Sequence, residues 1–196
     1  MTSDDLLVRD SMKGDEEAFR LLVDRYRSLL HHLAVGVLQD RDLAADAVQD
    51  VFLKAYSSLS DYRGKGLFQA WIRRILVNHC LSVLRQRHSY LSLDELDRDF
   101  ADRDRGPEEA ALARNDSEAL RQAMSRLPAN YRAALVLRAV EGLSYREISE
   151  LLGVPDSTVE SWIHRGRMRM RTLITPDGQT APSSGQRARV IGWDRR

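Results

Sequence analysis

A Gly-Val-Pro break between two short amphipathic segments near the C-terminal end constrains the fold of this chain most. The first segment carries Ser144 at its start and Glu147 three residues later, which is the spacing of a capping box. The segment after the break repeats this spacing with Ser157 and Glu160. Two short capped helices joined by a tight turn predict a helix-turn-helix.

Apolar residues give these two segments faces that can be buried against each other. Ile148, Leu151 and Leu152 are expected to pack on Val159 and Ile163 of the second segment. The opposite side of the second segment is polar and continues into alternating arginines at positions 165 to 171. In a helix-turn-helix the second helix enters the major groove while cations hold phosphates, so we expect this surface to bind duplex DNA. A protein-binding helical domain can carry the same pattern.

The apolar periodicity elsewhere in the chain is also helical. A stripe at steps of three and four runs from Phe19 to Val37 and recurs from Leu43 to Ala55, after a QDRD break. A third helix follows the YRGKG loop, and its predicted buried side consists of Phe68, Ile72, Ile75, His79 and Val83. Helicity resumes from Leu112 to Leu127, breaks at Pro128 and continues to a predicted C-cap at Gly142. The fold class is therefore all-α, with His79 as a satisfied core residue.

The formal net charge of +1 conceals blocks of opposite sign. Residues 62–87 carry six cations and no acid, whereas residues 94–109 carry eight acids against three arginines. Two basic regions separated by an acidic connector are typical of a nucleic-acid binder built from two modules. The connector also contains few large apolar residues, which predicts a flexible linker.

Composition excludes several classes of protein. With 43% hydrophobic and 30% charged residues the chain is ordinary globular material, and its single cysteine, Cys80, cannot form an internal disulfide. No Cys/His cluster has zinc spacing, and no apolar run approaches the roughly 20 residues that span a bilayer. The acidic N-terminal segment is unlike a signal peptide. We expect a cytoplasmic protein with no metal, no cofactor and no membrane insertion.

Three stretches taken in order resemble a known family. They are DAVQDVFLKAY, then YRGKGLFQAWIRRILVNHCLSVLRQR, then LPANYRAALVLRAVEGLSYREISELLGVPDSTVESWIHRGRMRMR. Over residues 12–174 this arrangement is similar to the extracytoplasmic-function (ECF) sigma factors of bacterial RNA polymerase. The resemblance implies two small helical domains, a sigma2-like domain over 1–88 and a sigma4-like helix-turn-helix domain over 114–175. A flexible acidic linker over 89–113 joins them, and a disordered tail occupies 176–196.

The resemblance also implies partners and contact residues. Core RNA polymerase, through its beta-prime clamp helices and beta flap, promoter DNA and an anti-sigma factor are the expected partners. The residues expected to meet core polymerase are Asp46, Gln49, Asp50, Phe52 and Lys54. The residues expected to meet the minus-ten element are Tyr62, Arg63, Lys65, Trp71 and Asn78. The residues expected to meet the minus-35 element are Ser157, Thr158, Glu160, Ser161, His164, Arg165 and Arg167.

The chemistry of these residue types agrees with such roles. Asp46 and Asp50 share a helix face at i, i+4, and Phe52 is either an anchor or a core residue of its own domain. A glycine-rich basic loop, aromatic rings and the Asn78 amide suit unstacked bases, although a core role is favoured for Trp71. Glu160 can accept a hydrogen bond from a cytosine amine.

Two other classes of function remain open from the residues alone. A stand-alone helix-turn-helix regulator would bind duplex DNA as a dimer without polymerase. An enzyme would need His31, His32, Asp46 and Asp50 to meet around a metal, yet these residues fit a helix surface as well. No glycine-rich phosphate loop, nucleophile elbow or metalloprotease motif supports catalysis, so we expect no enzymatic activity.

Overall fold

The computed structural model describes the backbone of residues 3–62, 67–94 and 111–174, and the side chains of residues 3–62, 67–87 and 118–174. Within these residues the regular structure is entirely helical, which confirms the predicted fold class. The elements in chain order are α1 Asp4–Met12, α2 Glu16–Leu38, α3 Arg41–Ser57, a 3-10 turn Leu59–Asp61, α4 Phe68–Asp94, α5 Ala111–Ser125, α6 Ala129–Ala139, α7 Tyr145–Leu152 and α8 Asp156–Ile174. Residues 89–94 of the predicted linker are helical, and residues 95–110 and 175–196 lie outside the described residues.

The starts of α2 and α3 are set by aspartate caps. The Asp15 carboxylate accepts a hydrogen bond from the Ala18 amide at 3.1 Å, and Asp40 accepts from the Leu43 amide at 3.0 Å. Each cap satisfies an amide that has no partner within the helix. Between the two helices Gln39 adopts a left-handed conformation with φ of 59°, so the predicted QDRD break is a real chain reversal.

Helix α1 was not predicted from the periodicity. It is short, and its contribution to the core is limited to residues such as Leu7 and Val8. A polar contact fixes it to α2, because the Asp4 carboxylate accepts hydrogen bonds from the Arg25 guanidinium and the Tyr26 hydroxyl. Burial, and then the Asp4 hydrogen bond, raise the pKa of Tyr26, so this hydroxyl remains a donor.

The N-terminal core lies where α2, α3 and α4 meet. Helix α4 buries Phe68, Ile72, Leu76 and Cys80 completely or almost so. The predicted stripe was therefore partly wrong: Ile75, His79 and Val83 lie half-buried on its flank. The reason is that α4 packs on both α2 and α3, which places the centre of its buried face between the two contacts. Burial also raises the pKa of the Cys80 thiol to about 12, which leaves it a packing residue.

The C-terminal helices form the predicted helix-turn-helix. Ser144 and Glu147 make both hydrogen bonds of the capping box at the start of α7, and Gly153 ends that helix with φ of 68°. This left-handed position favours glycine because it has no Cβ. The second predicted capping box is wrong. Helix α8 begins at Asp156, and the Val159 amide donates to the Pro155 carbonyl, so Ser157 lies inside the first turn.

The N-terminal helices α1 to α4 contact the C-terminal helices α5 to α8, with α2 and α4 packed against α6 and α7. At Gly36 of α2 an added Cβ would lie 2.9 Å from Cγ1 of Val136 on α6. Nearby, Arg73 of α4 forms an ion pair with Glu141, just after α6. The close approach at Gly36 therefore depends on the absence of a side chain.

Replacing Gly36 with leucine is expected to separate α2 from α6, because the new side chain would overlap Val136. Overpacking of this kind typically costs about 1–3 kcal/mol. Small-angle scattering should show a larger radius of gyration for Gly36→Leu, with helix content by circular dichroism retained. Ala45→Leu, which adds the same side chain on an exposed position of α3, is the matched control. Equal radii for the two variants would contradict this account of the contact.

Candidate functional surfaces

The solvent face of α3 carries four of the five predicted polymerase contacts. Asp46, Gln49, Asp50 and Lys54 are all exposed, because the opposite face of α3 is buried against α2 and α4. The fifth residue, Phe52, is buried and its ring meets Phe19 edge-on with centroids 6.5 Å apart. Phe52 thus lies beneath the solvent face of α3, whereas the charged residues lie on that face.

An apolar groove of about 530 Å³ lies beside this face, between α2 and α3. Its lining residues are Glu16, Phe19, Val23, Arg27, Gln49, Phe52, Leu53 and Tyr56. Leu53 is 70% exposed and Tyr56 is 45% exposed, which is unusual for large apolar side chains on one helix. Sequence analysis missed both residues. The sequence did contain a signal for Leu53. It falls outside the spacing of the buried residues of α3, so an apolar side chain at this position does not pack into the core.

His79 connects α4 to this exposed face of α3. Its Nδ1 lies 2.7 Å from Nζ of Lys54, and its Nε2 lies 3.3 Å from a carboxylate oxygen of Asp50. Burial lowers the pKa of His79, the nearby Lys54 charge lowers it further, and Asp50 opposes the shift. The imidazole is therefore neutral at neutral pH, and its contact with Asp50 is a hydrogen bond to a carboxylate. The sequence predicted a satisfied histidine but not these partners.

The start of α4 holds an aromatic cluster below an exposed polar edge. Tyr62 is buried, and Trp71 lies half-buried with its ring centroid 5.4 Å from Tyr62 and 5.5 Å from Phe68. Asn78 is exposed, and it shares a helix face with Trp71 and with the exposed Arg74. The amide is thus available to a ligand, whereas the two rings are packed. Arg63 and Lys65 lie outside the described residues.

Arg73, a cation of the basic region, forms an ion pair with an acid that follows α6. Its guanidinium pairs with Glu141, and the two side chains are only 14% and 9% exposed. Hydrogen bonds from Ser144 lower the pKa of Glu147, and the Arg73 charge lowers it further. Because Glu141 lies 68 positions along the chain, no sequence spacing indicates this pair.

The predicted polar face of α8 is exposed only in part. Ser157, Glu160, His164 and Arg165 lie on the surface, while Thr158, Ser161 and Arg167 are half-buried. The helix extends to Ile174, so the alternating arginines belong to the same continuous helix as the residues at its start. Its buried residues are Val159, Ile163, Gly166 and Met170, and the helices packed against α8 are α5, α6 and α7.

A second cavity, of about 540 Å³, adjoins the middle of α8. Its lining residues are Tyr131, His164, Arg165, Met168 and Arg169. It extends the predicted basic surface towards α6 through Tyr131, a residue that sequence analysis did not select. The tyrosine and the two arginines of this lining are residue types whose side chains can donate hydrogen bonds to a phosphate.

Family comparisons account for both groups of helices. Residues 22–90 match the family described as Sigma-70 region 2, and residues 117–170 match Sigma-70, region 4. The RNA polymerase sigma-H factor of Pseudomonas aeruginosa is 34% identical over 182 residues, which is 88% of this chain and 94% of that protein. The ECF RNA polymerase sigma-E factor of Escherichia coli K12 is 34% identical over 183 residues, 89% of this chain and 95% of that one.

A helix-turn-helix preceded by a region 2 domain defines a polymerase-associated transcription factor, and the chain belongs to the sigma-70 family, in its ECF group. It functions as an RNA polymerase sigma factor, directing promoter recognition, DNA melting and transcription initiation. The match to region 2 covers the N-terminal helices. The alternative of a stand-alone helix-turn-helix regulator does not explain these helices.

Two solved structures share the fold of this chain. The structure of CnrH in complex with the cytosolic domain of CnrY is similar with a TM-score of 0.65 and 26% identity, covering 89% of this chain and 99% of that chain. The sigma factor RpoE from Bartonella quintana, solved with the anti-sigma factor NepR, shares the fold with a TM-score of 0.63 and 24% identity, covering 82% and 98%.

Two further findings concern the described residues alone. None of the helices in the described ranges is long and apolar enough to cross a membrane. The same ranges contain no group of three or more histidine, cysteine, aspartate or glutamate side chains that could hold a metal ion, so His31, His32, Asp46 and Asp50 do not form one.

Proposed function

We propose that this sigma factor binds core RNA polymerase through the exposed face of α3 and the apolar groove beside it. The observation that carries the proposal is that Leu53 is 70% exposed on α3, close in sequence to the exposed Asp50 and Lys54. An exposed leucine flanked by carboxylates suits a helical partner that offers both apolar and basic side chains. The beta-prime clamp helices are the expected partner, and the beta flap is expected to meet the C-terminal helices.

We assign promoter melting to the N-terminal part of α4. Asn78 offers both a donor and an acceptor on an exposed amide, as a base edge requires. Arg74 on the same face supplies positive charge that can bind the DNA phosphate backbone. Arg63 and Lys65 of the adjoining loop are expected to add to this charge. Tyr62 and Trp71 support this edge from within the aromatic cluster.

Recognition of the minus-35 element is assigned to α8. Ser157, Glu160 and His164 lie on its exposed face and can reach base edges, with Thr158 and Ser161 beside them. Arg165 and Arg167 follow on the same helix, and we assign them to phosphates. The two DNA-binding units in this proposal are the predicted domains over 1–88 and 114–175.

An anti-sigma factor is the proposed regulator, because the sigma factor RpoE from Bartonella quintana, which shares this fold, was solved with the anti-sigma factor NepR. A protein that holds α2 and α4 against α6 and α7 would keep the two DNA-binding units together. In this proposal the chain is a regulatory subunit without catalysis of its own, and it acts in the cytoplasm, where polymerase and promoter DNA are found.

The first test of the docking surface combines Asp50→Ala with Leu53→Ala. Both side chains are exposed, so the variant should fold, and its affinity for core polymerase should fall by about 2 kcal/mol, roughly 30-fold. Competition with labelled native chain for core polymerase measures the change. Leu6→Ala, which removes an apolar side chain 40% exposed on α1, is the control. Unchanged competition by the double variant would exclude this docking surface.

The second test concerns Asn78→Ala. Because the amide is exposed, we expect unchanged thermal stability and unchanged core binding, but weaker open-complex formation on duplex promoters. A pre-melted bubble should restore only part of the activity, since unpairing is supplied while the base contact is still missing. Permanganate footprinting on both templates measures this.

Gln86→Ala is the matched control for Asn78, because it removes another exposed amide from α4. Normal melting of the duplex by a stable Asn78→Ala protein would refute the base-contact assignment. Equal defects in the two variants would instead indicate a general effect on α4.

The third test separates phosphate contacts from base contacts on α8. Arg165→Ala should weaken binding to all promoter sequences and reduce the slope of log affinity against log salt by about one. His164→Ala should change the preference at one base pair and leave the slope unaltered. Arg146→Ala, an exposed arginine of α7, is the control. If both α8 variants lowered affinity equally for every sequence, the division of roles would be wrong.

A further inference from the structure

We propose that His79 is a positioning residue of the polymerase-docking surface, and that its neutral imidazole holds Asp50 and Lys54 apart in the arrangement that polymerase recognises. The inference rests on the proposed docking role of α3. His79 itself belongs to α4, and only 12% of its side chain is exposed. It therefore acts through its two partners and not by direct contact with polymerase.

The hydrogen-bond chemistry fixes the tautomer of His79. A lysine ammonium can only donate, so the Nδ1 atom 2.7 Å from Nζ of Lys54 must be the acceptor. The proton of the neutral ring then lies on Nε2, which donates to the Asp50 carboxylate at 3.3 Å. The ring thus connects a cation to an anion, with each nitrogen in the role that its partner requires.

The position of the imidazole prevents a competing contact. Asp50 and Lys54 are four residues apart on α3, with the acid towards the N-terminus, which is the favourable spacing for a direct ion pair. Such a pair would direct each charge at the other. With His79 between them, Asp50 is 57% exposed and keeps an oxygen for a partner, and Lys54 keeps two N–H groups.

Preorganisation gives this arrangement its value in binding. Long side chains that are already ordered lose less rotamer entropy when a partner binds. His79 orders two charged side chains from below, and burial and the Lys54 charge, which lower its pKa, keep it neutral. His79 also follows Asn78 directly, so neighbouring positions of α4 serve the docking surface and the proposed base contact.

The test compares His79→Leu with His79→Gln. Leucine keeps the bulk of the side chain but removes both hydrogen bonds, so affinity for core polymerase should fall roughly tenfold. Glutamine carries an acceptor oxygen and a donor nitrogen on one group, as the neutral imidazole does, and should retain most of the affinity. In a chain that also carries Asp50→Ala and Lys54→Ala, His79→Leu should have no further effect.

A measurement on the free chain makes the outcome independent of polymerase. Nitrogen NMR of labelled histidine should show the Nε2–H tautomer for His79 at neutral pH. The Nδ1–H tautomer or a charged ring would overturn the inference, as would native affinity in folded His79→Leu or equal weakness in His79→Gln. If His79→Leu does not fold, His79→Asn replaces it, because its shorter amide cannot reach both partners. If Asp50→Ala and Lys54→Ala bind polymerase normally while the tautomer is found, the docking proposal fails and the geometry of His79 stands.

Discussion

Helix α2 makes the contact on which the rest of the structure depends. It packs against α1, α3, α4 and α6, and Leu22, Leu30 and Leu33 along it are completely buried. Each such leucine contributes about 1.5–3 kcal/mol of apolar burial. Because α2 covers the inner faces of α3 and α4, the outer faces of those helices are left to solvent, with polar residues and the exposed Leu53 on them. The docking surface and the Asn78 edge are these outer faces.

The sequence allowed prediction of the features that depend on local spacing. The helical periodicity, the Ser144 capping box and Gly153 as the end of α7 are all present in the structure. The second capping box failed because its motif depends on where the helix begins, and Pro155 allows α8 to begin at Asp156. The predicted stripe of α4 failed for another reason: a helix packed against two neighbours has a buried face that one simple stripe does not describe.

Pairs of side chains that meet through packing could not be predicted in this way. Lys54 and His79 are 25 positions apart, and Arg73 and Glu141 are 68 apart. Charge counting found that the basic region was free of acids, and it could not show that Arg73 is balanced by Glu141, an acid that follows α6. The residues of the candidate surfaces were selected through the resemblance to the family, and Asp50 and Asn78 among them are exposed in the structure.

Helix α4 brings the separate surfaces together on one rigid element. At 3.6 residues per turn, Asn78 lies about 140° and His79 about 240° around the helix from Arg73, so the three side chains occupy three different faces. One face meets the C-terminal helices through Glu141, one is open to solvent, and one supports Asp50 and Lys54 of α3. A helix that is held by contacts on two of these faces cannot rotate to improve one contact without disturbing the other, and any rotation would also move the exposed Asn78. The docking face, the exposed amide and the Arg73–Glu141 ion pair therefore share a single geometric constraint.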